Sequence, residues 1–224
     1  MSKTFIRLLL PFLSALIVIS GALLLGGQHY TAASALLAAA ALFGFTRSFE
    51  NRSLSSRYAV LTAVMTALSV IGRFIFAPVP AFKPMTAIVI LSGVYLTPEC
   101  GFVTGAMTAL ISNMYFGHGA WTPFQMLAWG LIGIVSGCCS KLLRQKKLLL
   151  LMYGAIAGAL YSLVMDVWTV MWFNDGMDSE MYGAAIISAL PFTAAYAVSN
   201  VIFLWLTADS FGRKLSRAVT LIER

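Results

Sequence analysis

The chain has 224 residues, 60% of them hydrophobic and only 10% charged, with a mean hydropathy of +0.87. That balance leaves no room for a sizeable soluble domain, so its chemistry must lie within or at the edge of a bilayer. The formal net charge of +7 is dispersed among the connections between apolar stretches. This excludes a nucleic-acid partner and fits topology signalling and contact with anionic lipid.

In chain order the apolar stretches cover roughly 7–25, 30–46, 57–77, 84–97, 101–116, 122–140, 148–173 and 184–208. With the N-terminus in the cytoplasm, thirteen of the fifteen Lys and Arg residues fall at cytoplasmic ends: Lys3, Arg7, Arg47, Arg52, Arg57, Lys141, Arg144, Lys146, Lys147, Arg213, Lys214, Arg217 and Arg224. Only Arg73 and Lys83 fall elsewhere, beside one outer loop. Cytoplasmic loops carry an excess of Lys and Arg. The pattern therefore predicts an all-α, polytopic protein of the cell membrane, with eight spans and both termini cytoplasmic.

The first two stretches are Leu- and Ala-rich and turn over at Gly26-Gly27-Gln28-His29-Tyr30. They predict an N-terminal transmembrane hairpin, residues 1–50, for lipid-facing packing or partner contact. A polar connector from Arg47 to Arg57 leads into a six-span core, residues 51–224. Lys3 and Arg7 before a long apolar run imitate a signal peptide. The small-residue candidate Ala33-Ser34-Ala35 lies inside the second stretch, however, which predicts an uncleaved anchor.

The first core span places Ala59, Ala63 and Ala67 at every fourth position, with Thr62 and Thr66 alongside. Such a small-residue face serves either internal helix packing or docking of another membrane protein, because close backbone approach supplies much of the association energy in lipid. The second core span is bounded by Lys83-Pro84 and Thr97-Pro98-Glu99. It reaches only about 20 Å against a hydrocarbon core of about 30 Å. Such a helix either thins the bilayer or lies against a cavity at one end.

Outer-side residues carry the most information. Arg73 ends the first core span and is followed by Phe74, Phe76, Pro78, Pro80, Phe82, Lys83 and Pro84. The next outer loop holds Asn113 and the run Phe116-Gly117-His118-Gly119-Ala120-Trp121-Thr122-Pro123-Phe124-Gln125-Met126, with Trp129 a turn later. Thr122-Pro123 reads as a helix cap followed by a first-turn proline. The aromatic groups suit either an interfacial belt or a ligand mouth, and the Asn113 and Gln125 amides favour the mouth, being costly in lipid without partners.

Asp166 lies within the fifth core span, with Trp168, Trp172 and Asn174 beyond it. An ionisable residue at membrane depth is a functional candidate whose partner must be named, and Arg73 at similar depth is the expected one. The candidate substrate-binding residues are thus Arg73, Phe82, Lys83, Asn113, His118, Trp121, Gln125, Trp129, Asp166, Trp172 and Asn174. Asn200, on a face shared with Tyr196 and Phe192, is expected to make an interhelical hydrogen bond.

Cys100, Cys138 and Cys139 fall near cytoplasmic ends, where they should stay reduced and serve as small packing residues. No metal-ligand spacing, phosphate loop or His-Glu-x-x-His helix occurs, and Asp166 stands without a second carboxylate or a nucleophile. Neither catalysis, a metal nor a cofactor is expected.

Residues 57–210 resemble the substrate-specificity subunit (S component) of energy-coupling factor vitamin transporters. The resemblance rests on the ladder Ala59, Ala63, Ala67, on the segments Phe82-Lys83-Pro84 through Ser92-Gly93 and Gly101-Phe102-Val103-Thr104-Gly105, and on the loop from Gly117 to Met126. The hairpin departs from the family's six-helix plan. The resemblance implies a subunit that captures a vitamin or precursor outside the cell. It implies too that the alanine ladder docks a membrane coupling protein driven by two cytoplasmic ATPases. The tryptophan–proline loop is similar to one in a vitamin-specific branch and points to a cobalamin-related cargo, with queuosine precursors, pyridoxine and thiamine-related compounds as alternatives. The competing classes are an assembly factor and an intramembrane lipid-modifying enzyme.

Overall fold

A computed structural model describes residues 56–174 and 178–222. The N-terminal hairpin of residues 1–50, including His29, lies outside the described residues. Within them are seven α-helices and no strand: α1 Ser56–Ile75, α2 Met85–Tyr95, α3 Pro98–Phe116, α4 Trp121–Cys138, α5 Ser140–Gln145, α6 Lys147–Phe173 and α7 Ser179–Ile222. α1, α6 and α7 are long and apolar enough to cross a membrane, and α2 is a shorter apolar helix.

The short second span has a direct physical reason. Every residue of α2 from Met85 to Val94 is buried, and α1, α3, α4 and α7 pack around it. A helix apolar on all sides belongs in a core. Enclosed by protein, its 11 residues (about 16 Å at 1.5 Å each) need not match the lipid thickness. The perimeter helices instead turn Val60, Val64, Ile156, Leu160, Ile187 and Leu190 outward.

Glycine sets how closely the inner helices approach. A Cβ on Gly133 would fall 2.3 Å from the carbonyl carbon of Gly101, and one on Gly93 would fall 2.2 Å from the Gly133 carbonyl oxygen. α2, α3 and α4 therefore touch backbone to backbone at one level, the contact that small residues permit in lipid. Threonine hydroxyls in α1 remain internal: Thr62 donates to the Tyr58 carbonyl and Thr66 to that of Thr62, at 2.8 and 2.9 Å.

The basic ends gather on one side. Arg144 donates through Nε and Nη2 to the Val94 carbonyl and so closes the C-terminus of α2. Lys147 pairs with Asp209, and Arg57 at the start of α1 reaches the Leu221 and Ile222 carbonyls at the end of α7. α7 itself runs for 44 residues, well past the expected stretch of 184–208, because its polar continuation keeps helical periodicity and buries Gly212 and Leu215. Asp178 caps its start, accepting from the Glu180 and Met181 amides.

Two local expectations are corrected. Thr97 caps α3, accepting from the Cys100 amide, but Thr122 does not cap α4, whose N-cap is Ala120. Cys100 is buried, whereas Cys138 and Cys139 are exposed where α4 meets α5, so those two do not serve as packing residues.

Candidate functional site

At the end of the bundle opposite the basic cluster, α1, α3, α4 and α6 are joined by one chain of polar side chains. Arg73 Nη1 donates to Ser112 Oγ at 2.5 Å and to Asn113 Oδ1 at 2.8 Å. Asn113 Nδ2 donates to Gln125 Oε1 at 2.8 Å and to Thr122 Oγ1 at 3.0 Å, and Gln125 Nε2 donates to the Tyr161 hydroxyl at 3.1 Å. Asn113 and Gln125 are both buried, so each amide has the partner that a low-dielectric setting demands. Thr122 is the second residue of α4 rather than its cap; besides accepting from Asn113, its hydroxyl accepts from the Gly119 amide at 3.4 Å.

This chain backs a cavity of about 140 Å³ lined by Arg73, Lys83, Gln125, Trp129, Tyr161 and Tyr196, with Ala81, Met85, Thr86 and Asn200 completing the wall. Its floor is aromatic. Trp129 and Tyr161 stack with centroids 4.9 Å apart and planes within 4°, and Tyr196 meets Tyr161 edge-on at 5.3 Å. The indole N–H of Trp129 is buried without a hydrogen-bond partner among the described residues. Asn200 makes its expected interhelical bond, to the Gly154 carbonyl at 2.9 Å.

The segment between α1 and α2 covers the cavity. Lys83 and Ser199 exchange hydrogen bonds, the Lys83 amide donating to Ser199 Oγ and Ser199 Oγ donating to the Lys83 carbonyl. Phe82 packs with Phe76 and with Phe203 of α7 at 6.0 and 5.1 Å. Ala81 holds a left-handed φ of 57°, which an alanine occupies only under constraint, and its side chain is turned into the cavity wall. Burial, and behind it the Arg73 charge, pushes the Lys83 ammonium below the usual lysine range. Among the described residues no carboxylate lines the cavity.

Of the sequence candidates, Arg73, Lys83, Gln125 and Trp129 converge on this cavity, Asn113 stands directly behind it, and Phe82 sits in its cover. Trp121 and Trp172 form a separate group, both packed on Trp168. Asn174 is exposed and joins neither group, while His118, also exposed, places Nδ1 3.4 Å from Thr122 Oγ1 at the edge of the polar chain. The expected Arg73–Asp166 pair is not formed. α1 packs on α2 and α3, so the guanidinium turns to α3, while Asp166 sits on α6 beside α7. Sequence reasoning missed Tyr161, Ser112 and Ser199. A tyrosine midway along an apolar span was the available signal for Tyr161, since its buried hydroxyl needs a partner.

A second feature lies on the flank. Ala59, Ala63 and Ala67 are exposed on α1 and, with Val103, Met107 and Ile111 of α3, line an open apolar groove of about 430 Å³.

A helical bundle sheathed in apolar side chains and enclosing a polar–aromatic cavity near one end defines a membrane-embedded binding protein for small molecules. The model of the family described as ECF-type riboflavin transporter, S component, matches residues 53–209, and the chain belongs to that family. No curated protein and no solved structure gives a significant match. The chain is therefore the substrate-binding subunit of an energy-coupling factor vitamin transporter in the cell membrane. It is not an enzyme, and the assembly-factor and lipid-enzyme alternatives fall away.

Proposed function

We propose that this subunit captures a flavin-class vitamin on the outer side of the membrane. The observation that carries the reading is the pairing of a flat aromatic floor, Trp129 and Tyr161, with surrounding donors and no lining carboxylate among the described residues. Arg73, Lys83 and the unpartnered Trp129 N–H suit the acceptor-rich edge of a planar heteroaromatic ring, such as the dicarbonyl edge of a flavin. The riboflavin description of the matched family points the same way. Phe82 covers the site, Asn113 holds Arg73 and Gln125 in place, and Asp166 adds a further contact.

Delivery belongs to partners. The groove along Ala59, Ala63 and Ala67 docks the membrane coupling protein, which two cytoplasmic ATPase subunits drive. A cobalamin-related cargo is the second reading, carried by the loop from Gly117 to Met126. In that case Trp121, His118, Trp172 and Asn174 at the rim contact the larger ligand.

The test is mass spectrometry of small molecules released from gently purified protein, followed by titration with riboflavin and cobalamin. A stoichiometric flavin supports the first reading and a corrinoid the second. Protein that stays empty and binds neither overturns both cargo assignments.

A further inference from the structure

The end of α7 farthest from the cargo cavity carries a surface of a different kind. Leu204, Ala208, Gly212 and Leu215 are all buried, so the helix keeps one side against the bundle from membrane depth to its polar end. The outward side is continuous for the same reason. At about 100° per residue, Ile202, Leu206, Ser210, Arg213 and Arg217 fall within about 80° of one another. Ile202 and Leu206 are exposed apolar side chains, and Arg213 and Arg217 are exposed cations. One stripe therefore runs from hydrocarbon contact into charge.

Arg213, Lys214 and Arg217, with Ser210, Ala218 and Leu221, line a groove of about 410 Å³. Among the described residues none of these three cations makes a hydrogen bond or an ion pair. Their neighbours are already committed. Asp209, one turn before Arg213, pairs with Lys147, the Ser210 hydroxyl donates to the Thr207 carbonyl, and Arg57 donates to the Leu221 and Ile222 carbonyls.

Uncommitted cations at the foot of an apolar stripe suit an amphiphilic anion. Depth selects its kind. Arg213 lies about 10 Å beyond Leu206 along the helix, and Arg217 about 6 Å further. Lipid headgroups extend about 5–8 Å beyond the hydrocarbon on each side, so both guanidinium groups stand within one side chain of the phosphate layer.

We propose that this face of α7 binds an anionic glycerophospholipid of the cytoplasmic leaflet. Arg213 and Arg217 hold the phosphate through their forked donors, Lys214 adds charge at the groove edge, and an acyl chain runs back along Leu206 and Ile202. An acidic protein surface or a free phosphate would satisfy the cations but leave the apolar run that leads into them unused. The site stands apart from the cargo cavity, so its test does not depend on which cargo is bound.

Native mass spectrometry of the full-length protein in detergent, with equal amounts of phosphatidylglycerol and phosphatidylcholine added, reads the site. Each cation beside an anionic lipid contributes roughly fivefold, so phosphatidylglycerol should be retained about tenfold or more over phosphatidylcholine. The Arg213→Gln/Arg217→Gln variant should lose that preference to within about threefold. Lys141→Gln/Lys146→Gln removes the same charge from exposed positions on the same side and should keep it. Both variants change exposed side chains and should elute as wild type does. Inorganic phosphate should not displace the lipid, because it has no chain to place on Leu206. Displacement by phosphate makes the groove a free-anion site and overturns the lipid assignment. Equal retention of the two lipids by wild type, or equal losses in the two variants, overturns it as well. If Arg213→Gln/Arg217→Gln keeps the lipid but no longer assembles with the coupling protein and its ATPases, the cations serve a protein partner and the assignment falls.

Discussion

The indole of Trp129 and the phenol ring of Tyr161 lie 4.9 Å apart with planes within 4°, joining α4 to α6 at the floor of the cavity. Parallel, offset rings of this kind add about 0.5–1.5 kcal/mol beyond their buried area and offer a planar ligand a further stacking surface. Among the described residues, the Trp129 N–H of that surface has no partner of its own. Trp129→Phe, which keeps a flat ring and deletes the donor, should weaken riboflavin binding about fivefold to tenfold, in line with one lost hydrogen bond. Trp129→Ala should weaken it further. Fluorescence titration checks both, and an unchanged affinity in Trp129→Phe would show that the indole N–H does not contact the cargo.

Asn113 governs the polar chain, since its one amide holds Arg73, Gln125 and Thr122 together. Asn113→Ala leaves the half-buried Arg73 of α1 and the buried Gln125 and Thr122 of α4 short of a partner, each worth about 1–3 kcal/mol when unsatisfied. The variant should unfold at a clearly lower temperature in detergent, as well as binding cargo more weakly. A thermal midpoint equal to wild type would mean that Arg73 and Gln125 find other partners.

Helix packing gives a prediction independent of any ligand. A side chain at Gly133 would collide with the Gly101 backbone, whereas a Cβ at Gly183 meets nothing within 4 Å. Backbone cannot give way as a flexible side chain can. Gly133→Leu should therefore abolish monodisperse protein in detergent, while Gly183→Ala should purify like wild type. Size-exclusion profiles decide the matter.

These sites mark where sequence reading succeeds and where it stops. Hydropathy located α2 as an isolated short span, because apolar length is a one-dimensional property. It placed Arg73 and Asp166 at similar depth for the same reason. It could not supply azimuth: whether α1 turns its arginine toward α3 or α6 depends on packing around α2, which involves residues far apart in the chain. The Arg73–Asp166 expectation failed on that point, and the Thr122 cap failed because α4 begins a residue earlier, at Trp121, so that Thr122 lies within its first turn. The length of α7 was hidden differently. Hydropathy ends where lipid ends, but helical hydrogen bonding continues into the segment that buries Leu215. The convergence of Lys83, Gln125 and Trp129 was legible, since amides, cations and indoles in outer connections have few low-energy uses other than a pocket.

The alanine ladder separates capture from delivery. Ala59, Ala63 and Ala67 are exposed along one side of α1, while Thr62, Met65, Thr66 and Ser69 face inward, so bulk added at Ala63 projects away from the core. The cavity lies further along the same helix, where Arg73 in its wall is ten residues beyond Ala63, about 15 Å away. Ala63→Trp should therefore bind cargo within about twofold of wild type, as distant and independent sites do. It should fill the groove that Val103, Met107 and Ile111 share and keep a partner helix from close approach. Uptake by vesicles containing the variant, the coupling protein and both ATPases should then fall to background with ATP present, while Ala63→Ser, of similar size to alanine, should transport normally. Normal uptake by Ala63→Trp would remove this face from the docking surface, and a loss of binding alongside uptake would place Ala63 in the fold rather than the interface.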